Sequence, residues 1–264
     1  MPDQPVLLVD DAEGVRILTL NRPDAYNSFT AELKETLLAE LRWAATEPTV
    51  RAVVITGAGK AFSAGQDLRE HVEVLNADGE APMSTVDEHY NPLVRALTTL
   101  PKPVIAAVNG TAAGAGASLA FACDLRIAAE SAKFLLAFAG VGLSADTGAS
   151  WTLPRLVGYG RAMEMMLLGQ PVTAQQALGF GMVNRVVPDG TALAAATELA
   201  ASMAAGPTSA YAKIKEAMLA AAGADLEHAL ATESRTQSEL AQTDDHREAV
   251  QAFVTKRPPS FSGR

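Results

Sequence analysis

The chain has a single cysteine, Cys123, among its 264 residues, which excludes an intrachain disulfide and a cysteine-rich metal site. Basic residues are outnumbered, with 21 Lys and Arg against 30 Asp and Glu. The resulting net charge of −9 argues against a protein built mainly to bind nucleic acid, since holding a polyanion requires a positive surface. No run reaches the roughly 18 apolar residues of a membrane span. The opening MPDQPVLLVDD has neither the basic nor the apolar region of a secretory signal. A cytoplasmic, soluble protein with no membrane or nucleic-acid partner is expected. The histidines, His71, His89, His228 and His246, have no ligand spacing, so no metal is predicted. Repeats of ~20–50 residues, the mark of a solenoid, are also missing.

What is present is organised around residues 103–124, PVIAAVNGTAAGAGASLAFACD. Val104 to Val108 reads as a strand buried on both faces, the Asn109-Gly110 pair as a turn, and the run beyond Gly116 as a helix. The neck Gly114-Ala115-Gly116 carries nothing larger than a methyl group. Such a neck serves either close helix–sheet packing or the approach of a negative atom to unsatisfied N–H groups at a helix start. Residues 61–68, AFSAGQDL, follow the strand-like RAVVITG and form a second small-residue turn that presents the N–H of Gln66 before a helix. Two such loops are what an oxyanion hole requires. The GAGK fragment at 57–60 is not a nucleotide loop, because Val54 and Ala61 stand where a glycine and a Ser/Thr are needed.

The remaining pattern predicts an α/β protein. Strands are expected at 6–9 and 15–20 around the turn Asp10 to Gly14, at 52–56, 125–128 and 133–138, and near 184–187. Thr30 is placed to cap a helix whose Leu33, Leu37, Leu41 and Ala44 share a face. Residues 69–85 read as polar and loop-like, and 86–100 as a helix. From about Thr191 the chain becomes alanine-rich and helical, with Pro207, Asp225 and Thr243 at helix starts. The division expected is 1–190 as a core and 191–264 as a helical assembly region. The glycine-rich loop 139–150 contains one acid, Asp146, which reads either as a helix N-cap or as a free carboxyl for acid–base work.

The segments FSAGQDL and PKPVIAAVNGTAAGAG, with NRPDAYNSFT before them and GRAMEMMLLGQPVTAQQALGFGMVNRVV after, resemble the enoyl-CoA hydratase/isomerase (crotonase) superfamily from about Val6 to Arg264. HYNPLVRALTTLPKPV, KFLLAFAGVGL and FVTKRPPSFSGR resemble its 1,2-epoxyphenylacetyl-CoA isomerase subgroup. The resemblance implies a ClpP-like spiral of ββα units with a C-terminal helical trimerisation region, and a homotrimer or dimer of trimers. It implies that the N–H groups of Gln66 and Ala115 hold a thioester enolate. Ala25, Ala64, Asp67 and Leu68 would surround the acyl-CoA adenine and pantetheine, with Lys256 reaching a neighbouring subunit's phosphate. No separate cofactor is implied, since coenzyme A enters with the substrate.

Hydratases of the superfamily use two glutamates to split water; here those positions hold Ser118 and Phe138. Asp146 is then the candidate acid/base of an isomerase, converting 1,2-epoxyphenylacetyl-CoA to its oxepin, shifting a Δ3 double bond to Δ2, or both. The alternatives are a generic enoyl-CoA hydratase/isomerase of fatty-acid oxidation and a non-catalytic acyl-CoA-binding subunit. A dehalogenase of the superfamily would need a histidine where Asn91 stands, and Ser118 lacks the G-x-S-x-G turn of a serine hydrolase.

Overall fold

The computed structural model describes residues 4–76 and 83–264. Its strands are β1 (Leu7–Ala12), β2 (Val15–Leu20), β3 (Ala52–Gly57), β4 (Ala61–Ser63), β5 (Val104–Val108), β6 (Thr111–Ala113), β7 (Leu125–Ala129), β8 (Lys133–Leu135), β9 (Val172–Thr173) and β10 (Arg185–Val187). Its helices are α1 (Ala31–Thr46), α2 (Leu68–Asn76), α3 (Asn91–Thr99), α4 (Ala115–Ala122), α5 (Ala149–Val157), α6 (Tyr159–Leu168), α7 (Ala174–Gly179), α8 (Ala192–Ala204), α9 (Thr208–Ala221), α10 (Leu226–Leu240) and α11 (Asp244–Val254).

One sheet runs β1-β2-β3-β5-β7-β10 and the other β4-β6-β8-β9. The chain visits them alternately: β3 then β4, β5 then β6, β7 then β8, so each turn of a spiral lays one strand in each sheet. Within the first sheet only the β1–β2 hairpin is antiparallel. β3 and β5 are buried along their whole length, which is why they read as unbroken apolar runs and not as alternating ones. α1 covers the sheet with Leu33, Leu37, Leu41 and Ala44 buried, and the Thr30 side chain accepts from the Leu33 N–H as expected of a cap.

Four local differences from the sequence reading have physical causes. The hairpin turn is tighter than Asp10 to Gly14, because β1 continues to Ala12 and only Glu13 and Gly14 turn, both at positive φ. Residues 68–76 form α2, the helix expected after Gln66, and it runs on through a stretch expected to be loop-like from Arg69. The Asp67 carboxylate accepts from the N–H groups of Arg69 and Glu70, and this local cap starts a helix whose composition is polar. Residues 77–82 of that stretch lie outside the described residues. β8 ends at Leu135, and Phe138 begins a short 3₁₀ turn. Finally, β4, β6 and β9 have at most three residues each, too few for a periodic signal.

Beyond residue 190, α8 lies on the first sheet, its Ala196, Ala200 and Ala204 packed with Val15, Val54 and Ile105. Asp225 and Thr243 cap α10 and α11, and Pro207 precedes α9. The C-terminus folds back: Asp245 accepts from the N–H groups of Ser262 and Gly263. Among the described residues, no helix is long and apolar enough to cross a membrane.

Candidate active site

The two small-residue loops meet. A side chain on Gly116 would place Cβ 2.5 Å from the Ser63 carbonyl, and one on Gly65 would place it 2.8 Å from the Ala113 carbonyl and 3.2 Å from the Ala115 nitrogen. Gly65 also has φ +88°, a conformation that L side chains rarely adopt. Glycine at both positions lets the β4–α2 turn seat on the neck before α4. Hydrogen bonds then hold the contact in place. Phe29 N–H donates to Gly65 O, Asp67 N–H to Phe29 O, and Gly114 N–H to Leu135 O. Among the described residues, the N–H groups of Gln66 and of Ala115, the first residue of α4, donate to no carbonyl. The Ala115 nitrogen thus lies beside Gly65, the residue before Gln66, at the N-terminus of α4.

A buried polar web carries the first of those peptides. Arg22 donates from Nη1 to the Asp67 carboxylate at 2.7 Å and to the Ser28 carbonyl at 2.6 Å. The Ser28 hydroxyl donates to the same carboxylate at 3.0 Å. These partners outweigh the desolvation that opposes them and hold the Asp67 carboxyl down to about 2. The Gln66 side chain is anchored separately, its Oε1 accepting from the Tyr90 hydroxyl at 2.5 Å and from Lys34 Nζ at 3.3 Å.

Asp146 sits in the loop before α5, half-buried. It does not cap the helix: Gly148 occupies the N-cap position, with no side-chain hydrogen bond. Its Oδ1 instead accepts from the Thr147 hydroxyl at 2.8 Å. Thr147 is held at φ +51°, a strained conformation for a β-branched residue. Burial pushes the Asp146 carboxyl up from its ordinary value, partly opposed by the Thr147 hydroxyl and by the Lys34 charge. A carboxyl so placed exchanges protons nearer neutral pH than a solvated aspartate.

The other expected acid–base positions offer none. Ser118 is fully buried and donates back to the Gly114 carbonyl within α4, and Phe138 is a buried phenyl group. The Ala64 N–H bond to Tyr26 O ties the β4–α2 turn to the 3₁₀ turn that holds Ala25. Ala64 and Leu68 are exposed. The Asp67 side chain, by contrast, points inward to Arg22 and Ser28, and its backbone N–H and carbonyl are bonded to Phe29 O and the His71 N–H. Lys256 lies beyond α11, exposed, and makes no side-chain hydrogen bond or ion pair among the described residues. A cavity of about 680 Å³ lies elsewhere, between α4, α5 and α9, walled by Phe121, Cys123, Trp151, Ile214 and Met218. It contains none of Gln66, Ala115 and Asp146. Cys123, which borders it, is an inert thiol pushed up to about 12 by burial. Among the described residues no cluster of acids, histidines or cysteine could hold a metal ion.

Lys34, Tyr90 and Arg22 escape a reading of the sequence. Lys34 alone left a trace: it falls on the buried stripe of α1 beside Leu33 and Leu37, where a charge is out of phase with the apolar pattern.

The enoyl-CoA hydratase/isomerase family profile matches residues 10–264. The chain belongs to that family. It is 44% identical over 256 residues to 1,2-epoxyphenylacetyl-CoA isomerase of Escherichia coli K12, covering 96% of each chain. It is also 38% identical over 258 residues to the 2,3-dehydroadipyl-CoA hydratase of the same organism, covering 98% of this chain and 99% of that one. The crystal structure of an enoyl-CoA hydratase from Polaromonas sp. JS666 superposes with a TM-score of 0.92 at 35% identity, over 97% of this chain and 99% of that chain. The fold is thus the family's α/β spiral. This is an acyl-CoA enzyme family whose members carry both hydratase and isomerase names.

Proposed function

We propose that this member is an acyl-CoA isomerase in which Asp146 moves the proton and the N–H groups of Gln66 and Ala115 hold the thioester oxygen as the enolate forms. The observation that carries this reading is the pairing of one uncapped, half-buried carboxyl at Asp146 with the absence of a carboxyl at Ser118 and Phe138. Hydration of a double bond by the two-glutamate route needs two carboxylates around a water. Isomerisation needs one group that removes a proton at one carbon and returns it at another. A positioned acid–base residue contributes ~10²–10⁴-fold to such a step, and each hydrogen-bond donor of an oxyanion hole ~2.7–4 kcal/mol.

The substrate is 1,2-epoxyphenylacetyl-CoA, rearranged to its oxepin, or a Δ3-enoyl-CoA shifted to Δ2. The first is supported by the 44% identity to the Escherichia coli isomerase. In this reading coenzyme A lies along Ala25, Ala64, Asp67 and Leu68. The exposed Lys256 serves the phosphate of a neighbouring subunit in a cytoplasmic homotrimer or dimer of trimers, assembled through residues 191–264. No cofactor takes part beyond the coenzyme A of the substrate.

Turnover of 1,2-epoxyphenylacetyl-CoA, a 3-enoyl-CoA and a 2-enoyl-CoA, measured side by side, tests the reading. Oxepin formation or double-bond migration is expected, with hydration of the 2-enoyl thioester slower than either. Efficient hydration would overturn it.

A further inference from the structure

Lys34 is a charged group in an apolar place. It is 1% exposed, on the stripe of α1 that also buries Leu33, Leu37 and Leu41, where a leucine would pack without the cost of removing an ammonium from water. Its Nζ donates to Thr85 Oγ1 and to Gln66 Oε1, and lies 4.9 Å from the centroid of the Tyr90 ring. Tyr90, fully buried against Phe29, donates to the same Gln66 oxygen. The negative charges that act on Lys34 are those of Glu70 on α2, Asp146 before α5, Glu35 on its own helix and Glu88 in the π-helical turn Val86–Tyr90. His89, hydrogen-bonded to Thr85 and 3.5 Å from Glu35, completes the surroundings.

We propose that Lys34 is a positioning residue for the reaction at this site: with Tyr90 it clamps the Gln66 side chain, and thereby the peptide that presents the Gln66 N–H. The inference rests on the proposed role of Asp146. Two donors on one oxygen leave the Gln66 side chain a single orientation, and its peptide follows. The nearby charge favours the Asp146 carboxylate over the neutral acid, against the burial that favours the acid. An enzyme that must begin by removing a proton needs that carboxylate. Burial in turn draws the Lys34 ammonium below its ordinary value, so the clamp weakens at high pH as the ammonium loses its proton.

The test is the pH dependence of kcat and kcat/KM on the thioester the parent isomerises, for the parent, Lys34→Gln, Lys34→Met, Tyr90→Phe and Asp146→Asn, each with a thermal melt. In the Lys34→Gln and Lys34→Met variants kcat is expected to fall about tenfold or more, with KM nearly unchanged. The acid limb of kcat/KM should move to higher pH, since a charge that favours the Asp146 carboxylate is gone. Tyr90→Phe removes one anchor but no charge, so it should lower kcat and leave the acid limb in place. If both neutral variants melt below the assay temperature, Lys34→Arg decides: it keeps the charge but displaces the hydrogen-bonding head, so the limb should stay and kcat fall. A folded neutral variant with the parent's kcat and acid limb, or an arginine variant with the parent's kcat, would overturn the proposal. An Asp146→Asn variant as active as the parent would instead overturn the reading on which it rests.

Discussion

Replacing Gly116 by alanine tests whether the contact between the two loops builds the site. The added methyl would stand 2.5 Å from the Ser63 carbonyl, 2.7 Å from its Cβ and 2.8 Å from its hydroxyl. Ordinary contact begins near 3.4 Å, so the neck and the β4–α2 turn must part by about 0.9 Å. Gly116 has no positive φ, so the effect is steric and not one of backbone conformation. Overpacking of this kind costs about 1–3 kcal/mol, or a few degrees of melting temperature in a chain of this size. The larger consequence is catalytic. The gap opens between the peptides of Gln66 and Ala115, and a displacement near 1 Å at such a place costs on the order of 10²-fold in rate. The assay is kcat on the isomerised thioester beside a thermal melt, with Gly140→Ala as control, since nothing lies within 4 Å of a Cβ there. The control should stay within about 0.5 kcal/mol of the parent. A Gly116→Ala protein with the parent's kcat would refute the argument that these loops must touch.

Other consequences follow from single contacts. Arg22→Ala leaves the Asp67 carboxylate buried with one partner fewer and should cost about 2 kcal/mol in urea unfolding at pH 7. Because the folded Asp67 carboxyl is held down to about 2, below its unfolded value, its stabilisation is fully present above about pH 4 and is lost as pH falls toward about 2. The difference between parent and Arg22→Ala should therefore shrink over that window, as acid titration of the two stabilities would show. Leu37→Ala, at a fully buried position of α1, should lower stability by about 2–5 kcal/mol with little effect on KM, measured by urea unfolding and steady-state kinetics. Asp245→Ala removes the carboxylate that holds Ser262 and Gly263, and limited proteolysis should then cut the C-terminal segment faster than in the parent.

The main-chain framework could be read because its signals are local and strong. Val104 to Val108 is apolar at every position because both faces of the strand are covered. Thr30 and the leucine stripe of α1 announce a capped amphipathic helix. The two glycine-alanine loops announced themselves by their lack of bulk, and the structure brings them together. The second sheet was harder to see, since a three-residue strand such as β4 owes its existence to its neighbours and not to a pattern of its own. The length of α2 was hidden for a related reason: Leu68 to Asn76 has a polar composition, and the cap that starts it is the acid Asp67, which is also bound to Arg22. The polar web around the candidate site was least legible. Gln66, Tyr90 and Lys34 are 24 and 32 positions apart in sequence, and only the fold makes them neighbours. Asp146 could be read two ways, as a cap or as a free acid. The alternative fell to one geometric fact, the placement of Gly148 at the N-cap.

The central claim is that one carboxyl, on Asp146, moves the proton. Asparagine preserves its size and its bond to Thr147 but cannot take up a proton, so the decisive measurement is the turnover of Asp146→Asn on the thioester that the parent isomerises, with binding measured in parallel. The account predicts a loss of kcat of ~10²–10⁴-fold with thioester binding and melting temperature close to the parent's. Turnover equal to the parent's in that variant would contradict it.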